Sequence, residues 1–277
     1  MPELPEVETV VRDLRAAGLA GRRIRRVTVR HPAVVAGVTP QTFARRVAGR
    51  RIVALRRRAK FIIFELEAGQ LLTLHLRMTG QLHLVRGRPP RDRHDHLRLT
   101  LDDGRTLIYH DPRRFGRWRL TTADDTLLCR LGPEPLDDAL TAAGFAERLA
   151  QHRRQLKPLL LDQAFLAGLG NIYVDEALWA ARLHPRRLAG TVRPAAARVL
   201  WAAIRRLLRS AIRHRGTTLG LGEGNFKSTQ HERGRYLTRL QAYGRTGAPC
   251  PRCSTPIRRI VVAQRGTHIC PRCQKQK

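Results

Sequence analysis

Acidic side chains are few in this sequence: 22 Asp and Glu stand against 53 Lys and Arg, a formal net charge of +31. That imbalance argues against an ordinary soluble enzyme and points to a polyanionic partner, with nucleic acid ahead of an anionic membrane surface. Lysine is almost missing. Five of the 53 cations are lysine (Lys60, Lys157, Lys227, Lys275 and Lys277), so Lys60 and Lys157 stand out where arginine is the default. No run of about 18 apolar residues occurs, so no transmembrane helix is expected. Neither a lipidation signal nor an isolated basic amphipathic helix supports a membrane role. The first residues after Met1, which begin with proline and include three glutamates by residue 8, invert the basic-then-apolar order of a secretory signal, and the chain is expected in the cytoplasm. In that reducing compartment its five cysteines do not suggest a disulfide framework; four are paired near the C-terminus, and Cys129 reads as a buried apolar filler.

At 277 residues the chain is long enough for two domains with separate cores. Val7, Val10, Val11 and Leu14 recur at helical spacing within residues 3–17, with Pro2 suited to the first turn and Gly18 and Gly21 closing the segment. From about residue 22 to 121 the pattern changes to short β-like runs (RIRRVTVR, FIIFELE, LLTLHL, HLRLTL, RTLIYH) broken by Gly, Pro and Asp, the signature of a sandwich or flattened barrel. LGPEPLDDAL, residues 131–140, reads as a linker. Helical periods return near 141–151, 156–166, 171–182 and 193–214. Residues 216–235, rich in Gly, Ser, Thr and charge, suggest a mobile loop. The expected class is α+β, divided into 1–130, a linker at 131–140, 141–235 and 236–277.

Cys250 and Cys253 are two residues apart, and after sixteen residues Cys270 and Cys273 repeat the spacing. Two such knuckles supply four thiolates, enough to close a tetrahedral structural Zn²⁺ site with no open position. Between them IRRIVVAQRGTHI reads as two short strands joined at Arg265 and Gly266. No acidic residue follows Glu232, so the ribbon is expected to offer a basic hairpin to phosphate. A ribbon alone is compatible with DNA binding, RNA binding or scaffolding.

The opening PELPEVE has two readings. In one, a proline followed by acids favours the positive end of a helix dipole. In the other, loss of Met1 leaves Pro2 as a free secondary amine at a helix start with carboxylates beside it. An α-amino group has a pKa of about 8, and the helix dipole disfavours its protonated form, so a neutral fraction exists near neutral pH. Such an amine can attack a sugar carbon and form an iminium, while Glu3 moves protons.

PELPEVE, followed in order by HLRMTG, DPRRFG, KPLLLDQAFLAGLGNIYVDEALW and a ribbon ending RGTHICPRCQ, resembles the formamidopyrimidine-DNA glycosylases over most of the chain. Leu4 stands where the related endonuclease VIII enzymes typically carry glycine, which favours the oxidised-purine branch. The resemblance implies a catalytic N-terminal β-sandwich capped by the first helix, a helix-two-turn-helix domain and a four-cysteine zinc ribbon with one structural zinc ion. It also implies removal of a damaged base from duplex DNA followed by β,δ-elimination. A monomer in the bacterial cytoplasm, associated with the nucleoid through DNA and with no membrane partner, is expected.

By the same resemblance Pro2 attacks C1′, Glu3 protonates the sugar ring oxygen and Glu6 supports the site. Asn171 grips phosphate at a helix start, and Lys60, His75 and Arg265 hold phosphates around the lesion as a cationic cluster. Met78, Arg113 and Phe115 fill the gap left by the flipped nucleotide, Arg113 facing the orphaned cytosine. Lys157 matches a lysine that influences 8-oxoguanine handling. Taken alone, Met78 and Phe115 would read as core, His75 as a half-buried histidine and Lys157 as a solvated charge. One stretch departs from the family: after GTTL, where a loop wraps the flipped base, this chain reads GLGEGNFKSTQHERGRY. Two alternatives remain at this stage, an endonuclease VIII-like enzyme for oxidised pyrimidines and a catalytically silent DNA-binding zinc protein.

Overall fold

A computed structural model describes residues 1–87, 92–123, 125–220 and 225–276. The chain forms two compact units, one of Met1–Cys129 with His214–Leu237, the other of Arg130–Arg213 with Thr238–Lys277. The α+β class and the sandwich, helical domain and ribbon expected from the sequence are all present. No described helix is long and apolar enough to cross a membrane.

The first unit begins with α1 (Leu4–Ala16), whose Val7, Val10, Val11 and Leu14 are at most 1% exposed. Burying each contributes about 1.5–3 kcal/mol, which fixes the residues just before the helix in place. Pro5, not Pro2, occupies the first turn; Pro2 lies just outside it, buried. The β elements are β1 (Ile24–Val29), β2 (Val35–Ala36), β3 (Ile52–Arg58), β4 (Phe61–Leu66), β5 (Leu71–His75), β6 (Gln81–Arg86), β7 (Asp95–Leu101), β8 (Arg105–His110) and β9 (Arg117–Thr121). They form a four-stranded sheet, β1-β7-β8-β6, and a five-stranded sheet, β2-β9-β5-β4-β3, antiparallel except for β2 beside β9. Side chains from both sheets and α1 share one core that includes Ile24, Phe64, Leu74, Leu99, Tyr109 and Trp118, so the unit is a helix-capped sandwich.

Among the described residues, α2 (Pro40–Val47) interrupts the strands and α3 (Thr126–Cys129) follows them. α2 starts where the Thr39 hydroxyl accepts the Thr42 N–H at 3.2 Å, and it buries Phe43 and Val47. α3 is a single turn, and Cys129 at its end is exposed rather than an apolar filler. Residues 214–237 also join this unit. Of the segment expected to be a mobile loop, residues 221–224 lie outside the described residues. The flanks are tied down: Thr218 Oγ1 donates to Phe226 O (2.6 Å) and accepts from Gly234 N (2.8 Å), and Gln81 Nε2 donates to Asn225 O (3.1 Å).

In the second unit α4 (Ala142–Ala150) is capped by Thr141, and α5 (Leu156–Leu161) is followed by α6 (Asn171–Ala180) and α7 (Pro194–Arg213). α5 ends five residues short of the expected 166, because the Asp162 carboxylate accepts the Ala164 N–H (3.0 Å) and turns the chain. Gln163 then fastens the glycine turn, accepting from Gly168 N and donating to Leu169 O, each at 2.9 Å. α6 is buried on every side from Ile172 to Trp179 and is the unit's central helix. The ribbon hairpin is β10 (Arg258–Val262) and β11 (Arg265–Ile269). Its turn lies at Ala263 and Gln264, both at positive φ (46° and 59°), and not at Arg265–Gly266 as the glycine suggests. Gly266 sits inside β11 opposite Val261, where a Cβ would meet the Arg259 side chain at 2.9 Å.

Candidate functional site

In the first unit the N-terminal corner is built from acids held in place by backbone donors. Glu3 and Glu6 are only 2% and 1% exposed. Glu6 Oε2 accepts the Glu3 N–H at 2.8 Å, half of a reciprocal capping box, and its Oε1 accepts the Thr217 N–H at 2.7 Å. The close approach requires Gly216: its φ is +78°, and a Cβ there would fall 2.8 Å from Glu6 Oε1. Burial lowers the pKa of the Met1 terminal amine, Glu3 and Glu6 raise it, Lys60 and Arg113 lower it, and the net shift is downward. The Met1 amine next to Pro2 therefore shares one electrostatic environment with Glu3, Glu6, Lys60 and Arg113.

Lys60 lies in the turn between β3 and β4 and is 5% exposed. His75, at the end of β5, packs edge-on against Phe61 (4.9 Å between centroids), and its Nδ1 accepts the Arg77 N–H at 3.0 Å. Burial, then Arg77 and Lys60, push its pKa down to about 3, so His75 is neutral at pH 7. With Nδ1 an acceptor, the proton sits on Nε2, and His75 is a neutral N–H donor rather than a member of a cationic cluster.

Met78 and Phe115, which sequence alone would place in the core, are 41% and 46% exposed. Met78 is in the turn between β5 and β6, and Arg113 and Phe115 are in the turn between β8 and β9, with the Arg113 guanidinium 4.6 Å from the Phe115 ring centroid. The turns are joined by a Thr79 to Asp111 hydrogen bond.

In the second unit Lys157 is not a solvated charge. It is fully buried, its ammonium 2.6 Å from an equally buried Asp175 carboxylate and 3.1 Å from Gly266 O. Asn171, the first residue of α6, also donates to Gly266 O, at 3.0 Å. Asp175 Oδ2 accepts the His268 N–H at 2.8 Å. β11 is thereby fastened to α5 and α6, and the exposed Arg265 is held one residue from Asn171's partner. Glu176 completes the fastening: its carboxylate accepts the N–H groups of Gln241, Ala242 and Tyr243 at 2.8 to 3.1 Å, ahead of the ribbon.

Asp111, Asp175, Glu176 and Thr217 were not singled out from sequence. Two adjacent acids inside the otherwise apolar NIYVDEALWA were the available signal for Asp175 and Glu176, since a charge on a fully buried helix must be paired.

The ligand atoms of Cys250, Cys253, Cys270 and Cys273 all lie within 4.8 Å of one another. Cys253 Sγ is 3.4 Å from Cys270 Sγ and 3.5 Å from Cys273 Sγ. A tetrahedral zinc with Zn–S bonds of about 2.3 Å holds its sulfurs about 3.8 Å apart, so four thiolates of this spacing fit one structural zinc ion. Trp179, Ala242 and Ile257 pack against Cys250 and Cys270.

Residues 1–118 match the formamidopyrimidine-DNA glycosylase N-terminal domain, 131–222 the formamidopyrimidine-DNA glycosylase H2TH domain, and 247–276 a zinc finger found in FPG and IleRS. The chain is 50% identical to a formamidopyrimidine-DNA glycosylase of Herpetosiphon aurantiacus, over 99% of this chain and all of that one. It is 42% identical to that of Protochlamydia amoebophila over the full length of both. Among solved structures it is similar to MutM (Fpg) from Thermus thermophilus, with a TM-score of 0.88 and 44% identity over all of both chains. It is also similar to Lactococcus lactis Fpg in complex with DNA containing an abasic site, with a TM-score of 0.90 and 37% identity over 99% of this chain and 100% of that one.

Proposed function

The chain belongs to the formamidopyrimidine-DNA glycosylase family, and from that membership we propose that it is a bifunctional DNA glycosylase and AP lyase of base excision repair, removing oxidised purines such as 8-oxoguanine and formamidopyrimidines from duplex DNA. The observation that carries the catalytic assignment is the buried N-terminal corner, where Pro2, Glu3, Glu6 and Lys60 are buried together and the adjoining Met1 amine is held below its ordinary pKa by burial, Lys60 and Arg113 against the pull of Glu3 and Glu6.

Once Met1 is removed, the Pro2 nitrogen is a secondary amine at the start of α1. Its lone pair attacks C1′ of a nucleotide swung out of the helix, the bond from C1′ to the base breaks, and the base leaves with a proton. Glu3 protonates the ring oxygen as the sugar opens to the iminium. Loss of a C2′ proton expels the 3′ phosphate, a second elimination expels the 5′ phosphate, and hydrolysis of the iminium returns the free amine. Glu6 does not need to touch the sugar. Its two oxygens hold the Glu3 and Thr217 amides, which supports a positioning role.

In this reading Lys60, His75, Asn171 and Arg265 grip phosphates, with His75 contributing a neutral N–H. Met78, Arg113 and Phe115 enter the duplex, a role their exposure supports. The zinc ion shapes the ribbon and takes no part in the chemistry. A cytoplasmic, nucleoid-associated enzyme agrees with reduced cysteines at the metal site and with bacterial relatives.

Borohydride reduction of the enzyme mixed with an 8-oxoguanine:C duplex tests the assignment. A covalent adduct mapping to Pro2 is expected; an adduct on a lysine, or none, overturns it.

A further inference from the structure

Asp111 is fully buried in the sandwich unit, and its carboxylate accepts four hydrogen bonds. Oδ2 takes the Tyr109 hydroxyl at 2.7 Å and the Gly116 N–H at 2.9 Å; Oδ1 takes the Thr79 hydroxyl and, at 3.2 Å, the Arg113 N–H. Its main chain is held as well, its carbonyl accepting from His96 Nε2 at 2.9 Å. Burial pushes the carboxyl pKa up, but the hydrogen bonds from Gly116, Thr79, Tyr109 and Arg113 outweigh it and hold the group below the usual carboxylate range. Thr79 belongs to the turn that carries Met78, while Arg113 and Gly116 flank Phe115 on the other turn. One anion therefore ties both turns together.

Tyr109 completes the joint. Its buried ring fits between a glycine from each turn: a Cβ on Gly80 would come within 3.0 Å of the ring, and one on Gly116 within 1.9 Å of the hydroxyl oxygen. Burial and the neighbouring Asp111 push the phenol pKa up, so Tyr109 remains a donor. We infer that Asp111, Tyr109 and Thr79 are positioning residues that clamp the Met78 turn and the Arg113–Phe115 turn into one rigid wedge, and that this clamp sets discrimination of the base opposite the lesion. The inference rests on the proposed insertion of these turns into DNA. It adds that the two turns act as one body: Arg113 is aimed at the orphaned base by the same carboxylate that fixes Met78 through Thr79.

The test is the ratio of single-turnover excision rates for 8-oxoguanine opposite C and opposite A, in Thr79→Ala, Thr79→Ser and Tyr109→Phe. Thr79→Ala removes the side-chain hydrogen bond from the Met78 turn to Asp111, and Thr79→Ser retains it. A hydrogen bond to a charged group is strong enough to change the ratio about tenfold. The ratio is expected to fall about tenfold in Thr79→Ala, to return near the wild-type value in Thr79→Ser and to fall again in Tyr109→Phe. A uniform loss of rate with the ratio preserved, or a wild-type ratio in Thr79→Ala, overturns the clamp. If Thr79→Ala does not fold, Tyr109→Phe decides alone, because it removes one oxygen and keeps the ring. Wild-type enzyme that fails to excise either substrate would instead sink the glycosylase reading.

Discussion

Lys157→Met separates a lysine that acts on the lesion from one that holds the ribbon. Met nearly matches the lysine stem in volume, so the principal change is loss of the ammonium that sits 2.6 Å from Asp175 and 3.1 Å from Gly266 O. Both members of the pair are fully buried. Removing one partner leaves an uncompensated anion in the interior, which costs about 3–5 kcal/mol, against about 0–1 kcal/mol for an exposed pair. For a protein of this size that corresponds to a fall in Tm of roughly 6–20 °C. The damage should centre on the hairpin, because Asp175 also holds the His268 amide and Asn171 shares the Gly266 carbonyl. Calorimetry with zinc retention measured in parallel is the assay, together with Asp175→Asn and the double variant. The pair should couple by about 2 kcal/mol or more in the cycle, and excision of 8-oxoguanine and formamidopyrimidine should fall together. A Lys157→Met protein that melts within about 1 °C of wild type, yet loses 8-oxoguanine excision alone, would refute the structural role.

A permanent N-terminal extension should abolish cleavage while gel-shift affinity for abasic-site duplex persists; full activity of the tagged protein would count against Pro2. Gly216→Ala forces a Cβ to within 2.8 Å of Glu6 Oε1 at a positive φ, so a loss of about 1–3 kcal/mol in urea unfolding and a lower kcat are expected. The His75 and His83 rings, with pKa values pushed down to about 3 and about 4 mainly by burial, should show no NMR titration between pH 5 and 8. The sign for stability follows: below about pH 6.5 the unfolded chain binds protons that the folded rings refuse, so stability falls as pH drops from about 6.5 through about 3. Zinc chelation should unfold the ribbon and weaken DNA binding, read by circular dichroism and anisotropy; unchanged affinity after verified metal loss would contradict that role.

Features encoded by local spacing were legible in the sequence. The valine ladder of α1, the β alternation of HLRLTL and the two CxxC pairs each announce their geometry over a few residues. α2 was missed because its two buried side chains, Phe43 and Val47, are one turn apart in a polar stretch that gives no longer period. The ribbon turn was misplaced by two residues because glycine normally marks positive φ, whereas here Ala263 and Gln264 adopt it and Gly266 answers a contact with Arg259. Lys157 shows the general obstacle: a lysine reads as solvated, and only long-range packing supplies the aspartate that lets it be buried.

The N-terminal corner shows why a motif can be legible while its support is not. In the proposed mechanism the nucleophile is at the chain terminus, with covalent restraint on one side only, so something else must fix residues 2 and 3. α1 does part of this through its buried valines, but the helix start still needs a fixed acceptor for the Glu3 amide, and Glu6 supplies it. Glu6 is in turn immobilised by Thr217, 211 residues further along the chain, across a glycine that leaves no room for a side chain. The segment that departs from the family pattern thus begins at Gly220, two residues beyond the Thr217–Thr218 pair that closes this corner. Substitutions at Gly216 or Thr217 should therefore slow chemistry on an abasic site, where no base has to be recognised, whereas changes confined to residues 221–224 should alter the choice of lesion and leave abasic-site cleavage intact.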